Sequence, residues 1–537
     1  MKFLTQLENK FIFKVIFGLL FTFGIVLLLG SLYDTGDDLT MRNVSLNNSY
    51  ELVWSKAIYG KILLLLPAYI LGFARYDFLS FILLGLNLAL LLYALSKLLA
   101  VGSANKYFYY SLISLVYVQF LIRPQFTNTS GLLAITGILN MFVYFKVERN
   151  INLLIGMVLL LFSFWIRTEM TFVTLFISSP LLILFRKKWR IMRTKMALLS
   201  FLLFSMAIAI TIFVEKSTYN SVAHEFMKSK RQVIAPFFDY RFGKKLLKPS
   251  NEDILRASTL TTNDVLLFNA HFYDWPKFDT LLPNLEKAEK WYYAERDYKS
   301  SRLLSAKLSF KYFKEYEVVF LSLAIVFFLL SGIKKTDRKI MLFVSLSILF
   351  AVLVFAWYGY IQRAFLSRLY LTPLFGLTIL MVAFVGNQST KLSKLVLLIL
   401  LMANATFHIS THLRRADDAK ETNTNWTKFK SNHPKVAQQL VAFGGGPDII
   451  HLNPVWLSGA KNLGFESLKG VGYGGDSNDE QTPTNRLLNG EVVYYAINAD
   501  NRALLKTFFK EKFSKELKIN LINDYYSIYK VSVKITN

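Results

Sequence analysis

Long apolar runs separated by short polar segments make up most of this chain. Eleven runs hold 17 to 22 residues with few or no charges, the length that crosses the hydrocarbon core of a bilayer as a helix. The runs lie at 11–31, 77–98, 107–123, 130–146, 151–167, 169–185, 196–214, 316–333, 340–358, 369–386 and 394–411. The pattern predicts a mainly α-helical protein, a polytopic transmembrane bundle of about 11 spans.

A further apolar segment, 59–74, is interpreted differently. Its sequence, YGKILLLLPAYILGFA, carries Lys61 and Pro67, and proline interrupts a helix. Counting it as a span would also place the basic segment RKKWRIMRTK outside, against the rule that basic loops stay in the cytoplasm. We therefore predict a helix that lies in the outer interface, within a first outer loop spanning 32–76.

The distribution of basic residues predicts the orientation. With the N-terminus in the cytoplasm, the short inner segments hold 19 Lys and Arg, whereas the outer turns and the first loop hold eight. This excess is typical of cytoplasmic loops, and an odd number of spans puts the two termini on opposite sides. The abundance of Lys, Asn, Ile and Phe suits an AT-rich bacterial genome. We therefore expect a multi-pass protein of the bacterial plasma membrane with an extracytoplasmic C-terminal region.

Overall composition excludes several classes of protein. The chain is 53% hydrophobic, which is too apolar for one soluble domain of this length. Its net charge of +26 reflects the orienting basic runs, and no nucleic-acid-binding signature accompanies it. Membrane lipids are therefore expected partners, and nucleic acid is not. Because the sequence has no cysteine, disulfides, thiolate metal sites and cysteine nucleophiles are excluded.

Two larger polar stretches are predicted on the outer side. One is a loop of about 215–315, within a transmembrane domain of 1–411. The other is a tail, 412–537, that alternates segments of strand and helix periodicity. These segments are a strand at DIIHLNP (448–454), a strand at GEVVYYAIN (490–498), an amphipathic helix at NRALLKTFFKEKF (501–513) and a closing strand or hairpin at 519–533. The tail is therefore expected to be a small extracytoplasmic α/β domain.

Three aspartates follow the first apolar run directly, in the stretch LYDTGDDLTMRN (32–43). Paired carboxylates at a membrane surface can hold a divalent cation, take a proton from a hydroxyl group, or repel each other so that the pKa of one rises. Asp37 and Asp38 are the candidates for this chemistry, with Asp34 in support. In the alternative interpretation Asp34 caps the first span and the other two lie in a solvated turn.

Arginines occur at three other predicted outer turns. These are Arg123 in FLIRPQFTNTS, Arg167 with Glu169 in SFWIRTEMTF, and Arg363 with Arg368 in WYGYIQRAFLSRLYLTP. The planar guanidinium group suits phosphate oxygens. An ionisable pair such as Arg167 and Glu169 at membrane depth normally faces a cavity within the protein. For the other arginines the alternative is an anchor that reaches the lipid headgroups.

The stretch HFYDWPKFD (271–279) in the large loop combines aromatic residues with an acidic one. Tyr273, Asp274 and Trp275 could stack on and hydrogen-bond to a sugar ring. The alternative is that this stretch packs the loop onto the membrane surface.

The layout resembles the GT-C superfamily of integral-membrane glycosyltransferases. There a first span leads to an outer loop with acidic residues, here DTGDD, and interfacial helices follow, here 59–74. A second outer turn after the third span, here RPQFTNTS, and an exported soluble tail extend the resemblance. In short stretches the chain is most similar to membrane proteins of bacterial surface-polysaccharide loci, which resemble it at FTNTSG, IRTEM and YSIYKV.

The resemblance implies a role for each candidate residue. Asp37 or Asp38 would be the catalytic base or a metal ligand. The ligands of the donor phosphate would be Arg123, Arg167, Arg363 and Arg368. Many GT-C enzymes carry an acidic residue in the second outer turn, whereas this turn offers Asn128. The difference favours a metal-independent base over a two-carboxylate site for Mg or Mn.

Together these expectations describe an inverting membrane glycosyltransferase. Its donor would be a polyprenyl-phosphate-linked sugar, and its acceptor a surface polysaccharide or glycolipid on the extracytoplasmic face. A polysaccharide polymerase that joins lipid-linked repeat units is an alternative with the same chemistry. A flippase or transporter for lipid-linked oligosaccharide is an alternative of another class, although no internal repeat supports it. A surface binding protein would explain the tail but not the pair Arg167 and Glu169.

Overall fold

The computed structural model divides the chain into two compact units, which are described separately. The first unit comprises Met1–Asn220, Arg302–Arg415 and Pro454–Trp456, and the second comprises Ser221–Ser301, Ala416–Asn453 and Leu457–Asn537. The residues that the structure describes are 11–32, 38, 41–42, 45–46, 55–99, 103–184, 195–218, 246–269, 283–288, 290–291, 322–323, 325, 338–360, 368–385, 391–442, 469–470, 483–524 and 527–534.

Helices dominate the described residues, and the strands are short. The helices are α1 (Phe11–Leu29), α2 (Ala57–Leu64), α3 (Arg75–Leu98), α4 (Ser103–Ile122), α5 (Phe126–Val147), α6 (Asn150–Ile166), α7 (Thr168–Leu184), α8 (Lys195–Thr218), α9 (Glu252–Ala257), α10 (Thr262–Asn269), α11 (Arg338–Tyr360), α12 (Arg368–Val385), α13 (Lys391–Asn432), α14 (Pro434–Gln439), α15 (Pro483–Leu488) and α16 (Ala499–Phe513). The strands are β1 (Tyr69–Ile70), β2 (Phe73–Ala74), β3 (Leu440–Ala442), β4 (Lys469–Gly470), β5 (Val493–Ala496), β6 (Leu517–Asn523) and β7 (Ile528–Val533).

The first unit is built from apolar helices. Five of the described helices, α1, α3, α5, α11 and α13, are long and apolar enough to cross a membrane, and α6, α7 and α12 are shorter apolar helices. A helix satisfies its own backbone hydrogen bonds, which a lipid environment requires. These helices and the C-terminal sheet confirm the prediction of a mainly helical membrane protein with a small sheet region near its C-terminus. The run 316–333 lies almost wholly outside the described residues, so the number of spans and their orientation stay predictions.

The segment 59–74 differs from the predicted single interfacial helix. Helix α2 ends at Leu64, and β1 and β2 then form an antiparallel hairpin. Pro67 explains the break, because proline donates no backbone hydrogen bond and disfavours a helical residue before it. Leu71 and Gly72 form the two-residue turn with φ of 51° and 85°, as the favoured hairpin turns require. A helix of eight residues is too short to cross a bilayer.

Pairs of glycines let neighbouring helices touch along their backbones. A Cβ atom added at Gly137 of α5 would lie 2.9 Å from the carbonyl oxygen of Gly156 of α6. One added at Gly156 would lie 2.8 Å from the carbonyl oxygen of Gly137. Helices α1 and α3 meet in the same way at Gly18 and Gly85. Such close approach increases van der Waals contact, which is the main attraction between helices in lipid.

The second unit contains a five-stranded sheet with strand order β4–β3–β5–β7–β6. Strand β3 is parallel to both of its neighbours, and β7 is antiparallel to both of its own. Helix α16 follows β5, and the Asn498 side chain caps it by accepting a hydrogen bond from the N–H of Asn501 at 2.8 Å. The predicted strand at 490–498, the helix at 501–513 and the closing hairpin are confirmed, whereas 448–454 lies outside the described residues.

Helix α10, which comes from the large loop, belongs to the core of this sheet domain. Leu267 of α10 is fully buried in one apolar cluster with Leu505 and Phe508 of α16 and Val531 of β7. The loop and the tail therefore form a common core, although more than two hundred residues separate them in sequence.

An ion pair and a helix cap fix α10 in that position. The buried carboxylate of Asp264 lies 3.1 Å from the Lys512 ammonium group of α16. Asp264 also accepts a hydrogen bond from the N–H of Thr261 at 2.9 Å, and the Thr261 hydroxyl accepts one from the N–H of Asp264 at 3.1 Å. This reciprocal arrangement is a capping box, with aspartate in the place of the usual glutamate.

We expect Leu267→Asp to destabilise the second unit by at least about 3 kcal/mol, since it empties a core position and buries a charge. Leu521→Asp is the matched control, because Leu521 is 52% exposed on β6. The measurement is the urea midpoint for protease resistance of the C-terminal region in the purified full-length protein. Equal midpoints for the two variants would contradict the assignment of α10 to this core.

Candidate functional site

The first loop is fixed to the ends of several helices at one face of the first unit. The N–H of Leu32, just after α1, donates to the carbonyl oxygen of Ile122 at the end of α4, at 3.0 Å. The Ser55 hydroxyl donates to the carbonyl oxygen of Ile166 at the end of α6, also at 3.0 Å. We call the region where the ends of α1, α4 and α6 meet this loop the helix-end face.

Helix α8 reaches the same face through Glu215. The Glu215 carboxylate accepts a hydrogen bond from the N–H of Ala57, the first residue of α2, at 3.0 Å. It also lies 3.8 Å from the Lys56 ammonium group. The Trp165 indole N–H donates to the Thr211 hydroxyl at 2.8 Å and ties α6 to α8. Four helix ends and the start of α2 are thus held together by polar contacts.

Asp38 is buried at the helix-end face, with 1% of its surface exposed. Its Oδ1 atom accepts hydrogen bonds from the Tyr76 hydroxyl at 2.8 Å and from the N–H of Phe126, the first residue of α5, at 2.9 Å. The positive end of the helix dipole stabilises a carboxylate in this position. The alternative of a solvated turn therefore does not apply to Asp38.

A second carboxylate, that of Asp77 on α3, is held by Arg42 of the first loop. Nε of Arg42 lies 3.0 Å from Oδ2 of Asp77, and their side chains are 5% and 1% exposed. The Ser45 hydroxyl donates to the carbonyl oxygen of Arg42 at 2.7 Å. Because one buried charge without its partner is costly, the pair ties the first loop to α3.

The phenol of Tyr59 on α2 lies within electrostatic range of both carboxylates. Burial raises the pKa of Tyr59 above its usual value. The negative charges of Asp38 and Asp77 raise the pKa further, because a like charge disfavours the phenolate. Tyr59 is therefore a neutral phenol at physiological pH.

A small cavity is lined by both carboxylates. The lining residues are Asp38, Tyr76, Asp77, Ser80, Phe81, Pro124, Gln125, Phe126 and Thr129. Its empty space is about 230 Å³, which includes space open to solvent, and the enclosed part holds about one water-sized group. The first loop, α3 and the start of α5 thus enclose a polar site at the helix-end face.

Arg167 is the single residue between α6 and α7. The sequence predicted a very short turn between these two helices. Its Nε lies 3.1 Å from the Glu169 carboxylate, and the two side chains are 13% and 59% exposed. Its guanidinium carbon lies 5.5 Å from the centre of the Phe126 ring, within the range of a cation–π contact. Arg167 and Asp38 therefore contact the same residue, Phe126.

The FTNTSG stretch forms polar contacts between helices. Oδ1 of Asn128 accepts a hydrogen bond from the Thr372 hydroxyl of α12 at 2.7 Å. The Ser130 hydroxyl lies 3.0 Å from the carbonyl oxygen of Arg167 and 3.1 Å from the hydroxyl of Ser163. Asn128 therefore links α5 to α12, and Ser130 links α5 to the Arg167 turn.

Arg123 lies at the end of α4, within electrostatic reach of two buried histidines of α13, His408 and His412. Nε2 of His412 lies 2.9 Å from the carbonyl oxygen of Leu29 at the end of α1, so this nitrogen carries the ring proton. Arg123 is thus positioned near the ends of α1 and α4 and the middle of α13.

Several residues of the predicted site lie outside the described part of the chain. They are Asp34, Asp37, Tyr273, Asp274, Trp275 and Arg363. Arg368 begins α12, but its side chain is also outside the described residues. Of the predicted residues, Asp38 and Arg167 both contact Phe126, Asp38 at its backbone N–H and Arg167 at its ring.

Sequence reasoning missed Arg42, Tyr76 and Asp77. One signal was available, because Asp77 is the first residue of the predicted span 77–98 and an acidic side chain at such a position needs a partner. The partner could not be identified, since Arg42 lies 35 residues away in a loop without periodicity.

We expect Arg42→Ala to lower the free energy of unfolding of the first unit by about 3–5 kcal/mol, because Asp77 would stay buried without its counter-ion. Arg256→Ala is the control for loss of an arginine from an exposed ion pair, since its pair with Glu252 in the second unit has side chains 79% and 63% exposed and should change stability little. Thermal unfolding of the detergent-purified variants measures both. An equal loss of stability in the two variants would contradict a structural role for the buried pair of Arg42 and Asp77.

Comparisons with protein-family models, with curated proteins and with solved structures find no match for this chain. The resemblance to GT-C transferases therefore depends on the layout and the short stretches of the sequence.

Proposed function

We propose that this chain is a membrane glycosyltransferase that moves a sugar from a polyprenyl-phosphate-linked donor to a surface polysaccharide or glycolipid. The resemblance of the sequence layout to GT-C transferases supports this class of reaction. The single observation that carries the proposal is the contact of a buried carboxylate, Asp38, and a guanidinium group, Arg167, with the same residue, Phe126. Transfer from a phosphate-linked donor requires both a base for the acceptor hydroxyl and a cation for the leaving phosphate.

Asp38 is the proposed proton acceptor. The acceptor hydroxyl gives its proton to the carboxylate while its oxygen attacks the anomeric carbon of the donor. The hydrogen bonds from Tyr76 and from the N–H of Phe126 keep the carboxylate in place. A base that is already positioned lowers the barrier, because little reorganisation is needed during the reaction.

Arg167 is the proposed ligand of the leaving phosphate. As the sugar–phosphate bond breaks, its electron pair stays on the phosphate, and a guanidinium group stabilises the charge that develops there. Glu169, the present partner of Arg167, is 59% exposed, so a phosphate can replace it at small cost. Arg123, Arg363 and Arg368 are proposed as further phosphate ligands, and Tyr273, Asp274 and Trp275 as acceptor ligands.

The proposed mechanism uses no metal ion. Among the described residues no three His, Asp or Glu side chains lie close enough together to hold a metal. Asp77, the carboxylate that shares the cavity with Asp38, is already held by Arg42. This donor set fits a paired base better than Mg²⁺, which prefers several oxygen ligands in octahedral geometry.

The reaction is proposed for the extracytoplasmic face of the plasma membrane. The supporting observations are the basic residues of the inner segments in the sequence and the gathering of the first loop with the ends of α1, α4, α6 and α8 at one face. Labelling of a cysteine introduced at exposed Lys61 on α2, in intact cells, tests this sidedness in a chain without native cysteine.

Mass analysis of lipid-linked saccharides in a strain that lacks the gene tests the function. We expect an intermediate that is shorter by one sugar or one repeat unit to accumulate, and re-expression of the gene to remove it. A full-length lipid-linked product trapped in the inner leaflet would instead indicate a flippase. Unchanged lipid-linked saccharides would contradict both.

A further inference from the structure

We propose that the cavity lined by Asp38 and Asp77 binds the reacting hydroxyl of the acceptor, and that Asp77 and Arg42 act as positioning residues for it. This inference depends on the proposed function and adds to it the place where the acceptor is bound. The acceptor-binding residues that the sequence predicts are Tyr273, Asp274 and Trp275 of the large loop.

Size limits what the cavity can hold. Its enclosed part accommodates about one water-sized group, and the 230 Å³ of empty space around it includes some space that is open to solvent. A hydroxyl group fits the enclosed part, whereas a sugar ring or a phosphate does not. The ring of the acceptor would remain outside the enclosed part.

The lining offers mainly hydrogen-bond acceptors. Two carboxylates, those of Asp38 and Asp77, face the cavity from the first loop and from α3. The Ser80 hydroxyl donates its proton to the carbonyl oxygen of Tyr76 at 2.8 Å, and the Thr129 hydroxyl donates to that of Gln125 at 3.1 Å. Each hydroxyl oxygen can then only accept a further bond. The preferred ligand is therefore a neutral donor such as a sugar hydroxyl.

Charge separates this subsite from the phosphate subsite. An anionic phosphate is repelled by a cavity with two carboxylates, whereas the Arg167 guanidinium group, which lies against the Phe126 ring, attracts it. The acceptor hydroxyl would thus bind near the backbone N–H of Phe126, and the donor phosphate near its ring. Attack by the hydroxyl oxygen forms the new bond to the anomeric carbon, its proton passes to Asp38, and the phosphate leaves with the electron pair of the broken bond.

The Arg42–Asp77 pair allows two carboxylates to share so small a space. Two negative charges in one cavity repel each other, and Arg42 compensates one of them at 3.0 Å. The pair also fixes the direction of the Asp77 carboxylate. Asp77 therefore orients the hydroxyl, and Asp38 receives its proton.

Steady-state transfer by the purified full-length protein tests this assignment. The donor is the lipid extract of the strain that lacks the gene, and the acceptor is envelope glycan from the same strain. Ser80→Leu fills the cavity from α3, and Thr129→Leu fills it from α5. We expect each to lower kcat/KM for the glycan at least tenfold and to leave the KM for the donor within twofold.

Ser431→Leu is the matched control, because Ser431 also donates to a carbonyl oxygen four residues earlier but is exposed in the second unit. Melting temperatures of all variants identify any that fail to fold.

The double variant Arg42→Met/Asp77→Asn tests the positioning role of the ion pair, and it removes both buried charges together. It should raise the KM for the glycan and leave kcat within about threefold.

Each other outcome counts against the inference. If the wild type transfers and folded Ser80→Leu and Thr129→Leu transfer equally well, the cavity is not the acceptor subsite, while the proposed function stands. Equal rises in the KM for donor and glycan would also overturn it. If the wild type does not extend the glycan at all, the proposed function fails, and this inference fails with it.

Discussion

Replacement of Asp38 by asparagine is expected to abolish sugar transfer while the protein stays folded in the membrane. Asparagine keeps an oxygen at the position that accepts hydrogen bonds from Tyr76 and from the N–H of Phe126. Its amide cannot take up the proton of an acceptor hydroxyl. Loss of a general base typically lowers the rate by about 10²–10⁴, so the turnover of lipid-linked donor should fall by that factor.

Tyr76→Phe is the matched control for this variant. It removes one hydrogen bond to Asp38 but leaves the carboxylate, so we expect a loss of transfer below about tenfold. Both variants are compared by membrane level, melting temperature and extension of the lipid-linked saccharide. Asp37→Asn, tested beside them, decides which of the two sequence candidates is the base. Full transfer by Asp38→Asn would remove Asp38 from the mechanism.

The second large effect is expected from Gly156→Leu at the contact of α5 and α6. Even a Cβ atom at this position would lie 2.8 Å from the carbonyl oxygen of Gly137. That atom belongs to the backbone of a helix and cannot rotate away. The two helices must separate, which costs several kcal/mol in a packed core. We therefore expect little folded protein, measured by size-exclusion chromatography of solubilised membranes.

Gly24→Ala provides the control for that experiment. Gly24 lies in α1, and a Cβ atom added there meets no atom within 4 Å. Alanine also favours the helix over glycine, so the yield of folded protein should equal or slightly exceed that of the wild type. A normal yield for Gly156→Leu would mean that α5 and α6 pack less closely than described.

The apolar helices were predictable because their signal is local. A run such as 77–98 is long enough to cross a bilayer and must satisfy its backbone hydrogen bonds within itself. The same reasoning identified the amphipathic helix α16 and the hairpin of β6 and β7 from their periodicity. It failed at 59–74, where apolar composition alone did not indicate that Pro67 and Gly72 would produce a short helix and a hairpin.

Contacts between distant segments could not be predicted from one sequence. Leu267 of the large loop is apolar, and nothing in its surroundings indicates that its partners are Leu505 and Phe508 of the tail. The same limitation applies to Arg42 and Asp77, whose pairing depends on where the first loop packs against α3. Such partners follow from chain topology, which composition and periodicity do not encode.

By itself the sequence determined that this is a helical membrane protein with a small C-terminal sheet, and it selected Asp38 and Arg167 as residues with possible chemistry. Only the tertiary structure decided that Asp38 is buried at the start of α5, against Tyr76 and Phe126, which follow it by 38 and 88 residues. The physical reason is that burial of apolar surface is additive along a chain, whereas a polar site depends on the geometry of a few specific partners.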